Sequence, residues 1–418
     1  MPNISKYTLE IVILGGGAAG FFAAISAKKY FPQAHVRVFE KTSKFLGKVK
    51  ISGGGRCNVT NALSNHRLLS EKYPRGEKFL RKAFEQFDTK ATMEWFENRG
   101  VPLKTYPDLC VFPQSNESQS IIDCLWKEAK SLGVELWTSR AIDKITPLEH
   151  GFEISYKEVT EKVDRVIVTI GGQPKMTGFS WLADLNHNII PPIPSLFTFN
   201  MPKEPIRELM GIVVEEAVVR IEGKKLLGKG PLLITHWGMS GPAILQLSAW
   251  GARILAESNY EFSILVNWLN ETKENMLREI LVKTIKIHGS KMISNLNPFE
   301  IPNRLWLFLV SKNEINPATR WNDLGAKNTN KLVNTLLNDR YIVQGKTTFK
   351  EEFVTAGGVD LQEIDVNTMQ SKIHPGLFFA GEVMDIDGIT GGFNFQSAWT
   401  TGYIAGKNVG KKERIIGS

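Results

Sequence analysis

Residues 9–14, Leu-Glu-Ile-Val-Ile-Leu, are almost uniformly apolar and run without a charged break into Gly15-Gly16-Gly17-Ala18-Ala19-Gly20 and a second apolar stretch reaching Tyr30. A short apolar run closed by glycines reads as a buried strand and the longer one as a helix, so the order is strand, tight turn, helix. A second strand follows over residues 34–40 and ends on the acid Glu40. Apolar residues recur at helical spacing over 79–99 and 120–132, as in Ile121, Ile122, Leu125, Trp126 and Ala129. Three strands are predicted at 141–146, 151–156 and 165–170, an antiparallel β-meander ending at Gly171-Gly172.

Pro191, Pro192 and Pro194 then exclude helix and central strand, marking a domain crossing near Ser195. Period-two alternation over 213–221 and 226–235 predicts a small β part, and helical spacing over 241–257, 271–286, 304–312 and 328–338 predicts a helical part in the same insertion. Strand character returns at 349–358 and 376–382, and 396–408 reads as a closing helix. The domains are therefore expected at 1–194, 195–340 and 341–418, the first and last forming one sheet interrupted by the insertion.

Composition narrows the class. With 42% hydrophobic and 22% charged residues the chain can bury a core, which excludes a disordered or collagen-like protein. Three widely spaced cysteines, Cys57, Cys110 and Cys124, make neither a disulfide framework nor a metal site and point to a reducing cytoplasm. The charge-free runs at 11–27 and 230–252 are interrupted by glycines and polar residues, so neither reads as a signal peptide or membrane span. The net charge of +8 is spread out, apart from Lys224, Lys225 and Lys229 and a tail of Lys407, Lys411, Lys412 and Arg414, and argues against a nucleic-acid partner.

The chemistry starts at Gly15, Gly17 and Gly20, a GxGxxG between strand and helix. The first glycine permits the turn, the second admits a pyrophosphate, the third allows close packing, and Ala18 and Ala19 open a helix whose N–H groups face the phosphates. Glu40, followed by Lys41, can accept hydrogen bonds from both hydroxyls of an adenosine ribose. That leaves FAD or NAD. FAD is favoured by a second glycine loop holding Ser52, Gly54, Gly55, Arg56, Cys57, Asn58 and Thr60, by Ala141 at the adenine edge with Gly171 and Gly172 returning to the cofactor, and by the C-terminal pieces. In those pieces Gly381-Glu382 ends a strand where it can hold ribityl hydroxyls, and Gly391-Gly392-Phe393-Asn394 opens a helix toward the flavin pyrimidine.

The motifs ISGGGRCNVTN (51–61), THWGMSGP (235–242), FVTAGGV (353–359) and FAGEVMDIDGITGGFN (379–394) resemble bacterial flavoproteins that include aminoacetone oxidase-like and 3-dehydro-bile-acid reductase-like enzymes. The resemblance covers nearly the whole chain. It implies an α/β fold, a Rossmann-like FAD-binding domain of glutathione-reductase type with a β-meander, interrupted by an insert domain made of a small β part and a helical part. It also implies FAD contacts at the matched positions, with Glu382 standing where the wider superfamily carries Asp, and Asp385 or Asp387 near enough in sequence to share its contact.

Cys57 lacks a neighbouring cysteine and reads as a packed residue rather than a nucleophile, and no second GxGxxG supplies an NAD(P)H domain. NAD(P)H would therefore visit the flavin transiently, or the substrate would reduce FAD and oxygen reoxidise it. Candidate catalytic residues are His236, an acid or base at a strand end, and Thr355, beside Gly357 and Gly358 at the floor of a substrate pocket, while Ser240 reads as a helix cap. The expected activity is hydride transfer between flavin and a small organic molecule. A tRNA-modifying flavoprotein and a non-catalytic FAD-binding interaction module are the alternatives.

Overall fold

The computed structural model describes residues 8–271, 273–347 and 354–411. It divides into two units, one from Met1–Ser195 with Lys350–Ser418 and one from Leu196–Phe349. In the first unit, β1 (Glu10–Leu14) runs into α1 (Ala18–Tyr30) and on to β2 (His35–Phe39). These strands sit inside a five-stranded parallel sheet whose spatial order is Leu377–Phe379, Arg165–Val168, β1, β2, Glu135–Trp137. Val12 lies opposite Arg37 on one side and Val166 on the other. Ile11, Val12 and Ile13 are fully buried, which is why this strand is apolar throughout rather than alternating.

The C-terminal helix, Phe393–Asn408, packs against α1 with backbones nearly touching. A Cβ at Gly402 would lie 2.5 Å from the Ala19 carbonyl oxygen, and one at Gly406 would lie 2.2 Å from that of Ala23. Phe22 of α1 meets Phe87, Trp95 and Trp399 in an aromatic core. The chain's end thereby completes a sheet opened at its start.

Several local expectations are corrected. The meander consists of Lys144–Pro147, Phe152–Tyr156 and Val159–Val163, and Arg165–Val168 belongs to the parallel sheet instead. Val159–Val163, Val-Thr-Glu-Lys-Val, is an edge strand facing water along most of its length, so it carries little apolar signal. Ala141 precedes the meander and is not part of a strand. The single helix expected over 79–99 is two, Glu77–Ala83 and Thr89–Glu97, the second capped by the Asp88 carboxylate accepting the Ala91 N–H at 2.8 Å.

The proline run is itself a strand. Ile189–Ser195 pairs antiparallel with Val354–Val359, and a bulge between Ile190 and Ile193 takes Pro191 and Pro192 out of the ladder. The start of the strand expected at 349–358 falls partly outside the described residues, as do Lys412 and Arg414 of the basic tail.

The second unit is a seven-stranded antiparallel sheet in the order Asp339–Gln344, Glu261–Asn267, Val213–Ile221, Leu227–Ile234, Gly238–Ser240, Thr198–Asn200, Lys346–Thr347. Its first and last strands are separated by Gly345 alone, whose N–H donates to Tyr260 and whose carbonyl accepts from Asn200, so the sheet curls round to share one segment. Since Asp339–Gln344 pairs with Glu261–Asn267, residues 341–347 belong to this unit and the second boundary lies later than 340. Strands and helices share one core, in which Val219, Leu232 and Ile264 join Trp268, Trp306 and Trp321. Among the described residues no helix is long and apolar enough to cross a membrane.

Candidate cofactor-binding site

The turn after β1 is held by the chain around it. Gly15, at φ +110°, donates its N–H to the Phe39 carbonyl at 2.7 Å, and a Cβ there would sit 2.4 Å from the Thr169 oxygen. Gly17 differs, because a Cβ added to it would meet no atom within 4 Å. Space therefore stands open in front of the first turn of α1, where Ala18 and Ala19 follow, the turn carries no acid and no side chain caps it. Unpaired N–H groups at such an end attract a pyrophosphate. Gly20 packs tightly instead, a Cβ there falling 1.9 Å from the Gly15 oxygen.

Glu40 follows β2 with both oxygens engaged on one side, accepting from Gly16 N–H at 2.9 Å and Thr42 N–H at 2.8 Å. Each oxygen retains a lone pair, enough for a ribose diol. The exposed Lys41 adjoins it. Arg140 N–H donates to the Glu40 carbonyl at 2.9 Å, so Ala141 emerges beside the acid with an irregular, exposed backbone.

The second loop begins as a helical turn from Gly47 and then breaks, Ser52 extended and Gly53 and Gly54 left-handed at φ +56° and +68°. Cβ atoms at Gly54 and Gly55 would meet nothing within 4 Å. Arg56 donates from Nε to the Gly53 carbonyl at 3.2 Å. Cys57 is fully buried, and burial pushes its thiol up to about 12 against the opposing hydrogen bond from Ser52, leaving it protonated and inert.

Asn58 ties this loop to the C-terminal one. With its amide nitrogen donating to the Thr60 and Val111 carbonyls, its oxygen accepts the Gly392 N–H at 3.2 Å. Asn61 donates to the Gly391 carbonyl at 3.2 Å, and Thr60 reaches Gln396 at 2.5 Å. Gly391 and Gly392, at φ +121° and +89°, deliver the chain to Phe393. Tyr73 donates to the Phe393 carbonyl at 2.7 Å, and the Asn394 amide both donates to and accepts from the Gly388 backbone.

Gly171 and Gly172 continue from the strand beside β1, and Gly381 stands against Ala19. Glu382 accepts from the Thr355 N–H and from Lys48 Nζ, each at 2.8 Å. Lys48, in the turn ahead of the second loop, carries no motif signal beyond its adjacency to that loop. A Cβ at Gly172 would lie 2.5 Å from Thr355 Oγ1, which is fully buried with no hydrogen-bond partner among the described residues. Thr355 thus stands behind Gly172 rather than at a pocket floor.

Asp385 accepts from the Gly357 N–H at 2.8 Å. Asp387 is completely buried against Arg75 and accepts from Ser195 Oγ at 2.6 Å, so it holds protein rather than a ribityl chain. Burial nonetheless raises its carboxyl above the usual range, Arg75 opposing the shift.

The other candidates lie in the second unit. His236 is exposed, its ring edge-on to Trp237 with centroids 4.4 Å apart. Ser240 ends the strand Gly238–Ser240, and Gly241 takes the helix-cap position expected for it. Within the first unit, the residues fit FAD. Open space at Gly17, spare acceptors on Glu40, a glycine loop without side-chain obstruction and a helix start tied to that loop supply the parts a dinucleotide needs.

Comparison with known proteins agrees with this geometry. A family model described as the HI0933-like protein Rossmann domain matches residues 9–408. The 3-dehydro-bile acid delta(4,6)-reductase of Clostridium scindens is 29% identical over 415 residues, 95% of this chain and 98% of that protein. The ribosomal RNA dihydrouridine synthase of Escherichia coli K12 is 27% identical over 416 residues, 96% of this chain and 98% of that protein. A 3-ketosteroid-delta4-(5alpha)-dehydrogenase from Rhodococcus jostii RHA1 shares the fold, with a TM-score of 0.50 at 14% identity over 98% of this chain and 99% of that one.

Proposed function

The chain belongs to the HI0933-like FAD Rossmann family, and from that premise we propose that it is a reductase passing a hydride from flavin to a carbon–carbon double bond conjugated with a carbonyl. The observation that carries the reading is the convergence of the GxGxxG turn, the 52–60 loop and the Gly391-Gly392 helix start, with Glu40 and Glu382 at separate polar contacts. The names of the two enzyme relatives share one chemistry. One reduces delta(4,6) bonds of a 3-oxo compound, and the other yields dihydrouridine.

FAD, when bound, supplies at N5 the two electrons and hydrogen that NADH or NADPH has delivered to it. The protein's part is to hold and orient. The N-terminus of α1, open at Gly17, would hold the pyrophosphate, and Glu40 would accept from the ribose hydroxyls. Lys48 and the Thr355 N–H fix the Glu382 carboxylate, which would hold the ribityl chain, and the start of Phe393–Asn408 would favour negative charge on the flavin pyrimidine.

The test is anaerobic. NADH or NADPH should bleach the bound flavin, and a 3-oxo-4-ene steroid or unmodified ribosomal RNA should restore its colour while gaining two hydrogens by mass. Bleaching by amines or alcohols with recovery only in oxygen would make it an oxidase, and protein purified without FAD would remove the premise.

A further inference from the structure

Lys104, Tyr106 and Phe112 belong to the small sheet formed by Thr60–Asn61, Cys110–Pro113 and Leu103–Thr105 and the turn that follows it. Lys104 pairs directly with Phe112 in the ladder. Its ammonium stands 5.0 Å from the centre of the Tyr106 ring, Tyr106 meets Phe112 edge-on at 5.5 Å, and the Arg56 guanidinium lies 4.5 Å over the far ring. Cation, ring, ring and cation thus stand in a row, with Lys104 and Arg56 exposed, Tyr106 half-buried and Phe112 buried beneath them. Along the chain Lys104, Tyr106 and Phe112 are neighbours, but Arg56 lies far upstream, and only the fold adds it to the row.

We propose that this row is a docking ledge for single-stranded RNA, a proposal that rests on the reductase reading with a uracil ring as its substrate. Single strands are held by base stacking on aromatic rings combined with cations on the phosphates, and here Tyr106 offers the ring, backed by the buried Phe112, while Lys104 and Arg56 offer the cations. The neighbouring acid, Asp108, is turned into its own loop, where it accepts the Cys110 N–H at 3.1 Å. Lys50 adds a cation on the preceding turn, its Nζ 2.8 Å from Gln119. The ledge also abuts the cofactor loop. A Cβ at Gly53 would lie 3.2 Å from Phe112 Cε1, and Arg56 bonds the Gly53 carbonyl. A strand lying on the ledge is brought alongside the loop expected to wrap the flavin.

The probe is a fluorescein-labelled oligouridylate titrated onto the FAD-loaded protein at several salt concentrations. Lys104→Glu should weaken binding about 10-fold and lower the slope of log affinity against log salt by about one. Tyr106→Ala should weaken binding about 5-fold or more with the slope unchanged, and Tyr106→Phe should restore it. Flavin content and reoxidation by the steroid enone should stay as in the parent protein. Wild-type affinity in both Lys104→Glu and Tyr106→Ala would overturn the ledge while leaving an RNA substrate standing. Absence of salt-sensitive RNA binding by the parent, with enone turnover intact, would overturn both the ledge and the RNA substrate but not the reductase reading.

Discussion

Around His187, Nδ1 lies 2.8 Å from Glu363 Oε2 and Nε2 lies 3.1 Å from Ser371 Oγ, the spacing of a hydrolytic serine–histidine–acid triad. At the cofactor cradle, Glu40 and Glu382 likewise each accept two hydrogen bonds. The difference lies in what remains unused. Ser371 Oγ already accepts the N–H groups of Ile373 and His374 at 3.0 and 2.9 Å, Glu363 also takes the Asn188 N–H, and Ser371 and His187 are each only 3% exposed. Both His187 ring nitrogens, the Ser371 hydroxyl and Glu363 Oε2 are spent inside the protein. In the cradle, Gly17 faces open space and Gly53 and Gly54 are exposed, so backbone donors and carboxylate lone pairs are left for a ligand. Triad distances alone therefore identify a brace here, and spare hydrogen-bonding capacity beside open space identifies a site.

The strongest challenge to this contrast is Gly17→Val. Gly17 has φ −89°, which a side chain tolerates, so the fold should survive while the valine fills the pyrophosphate space. Flavin affinity should fall at least about 100-fold, near 3 kcal/mol, read from flavin absorbance after dialysis. A yellow Gly17→Val protein would mean the open space belongs to something else. His187→Ala should do the reverse, costing about 2–3 kcal/mol in unfolding free energy by stranding Glu363 and Ser371, with flavin affinity of the folded protein unchanged. Loss of flavin at full stability would make the His187 cluster part of the site.

Glu40→Ala sharpens the cradle side, weakening FAD by about 1.5–3 kcal/mol in a fluorescence titration through lost charge-assisted ribose bonds. Unchanged affinity would assign Glu40 to bracing Gly16 and Thr42 alone. The smallest effect is pH-dependent. Burial lowers the His187 pKa below 6.5 despite Glu363, so the unfolded chain binds its proton more readily than the folded one. Its contribution to stability is complete above 6.5 and is lost as pH falls below that value. Urea midpoints measured from pH 7.5 to 5.5 should drop in the parent more than in His187→Gln, and parallel curves would remove His187 from the acid response.

The cradle's first half was legible because its signals are local: an apolar strand, three glycines at fixed spacing and an acid ending the next strand all fall within residues 9–40. Lys48 and Arg75 went unread because a lone cation has no periodicity, and only their contacts with Glu382 and Asp387, more than 300 residues away, give them a role. The strand at Val159–Val163 was hidden by its own polar face, and the pairing of Ile189–Ser195 by prolines that a bulge accommodates.

By itself the sequence determined the strand–turn–helix at Gly15–Gly20 and the second glycine loop, because backbone conformation and short-range spacing are properties of neighbouring residues. Tertiary structure alone decided that residues 165–168 join the parallel sheet, that Thr355 is sealed behind Gly172, that Asp387 is claimed by Arg75 and Ser195, and that Lys104, Tyr106, Phe112 and Arg56 stand in one row. Those outcomes depend on which distant strands pair and which side chains they bury together, and neither is encoded in the periodicity of any single segment.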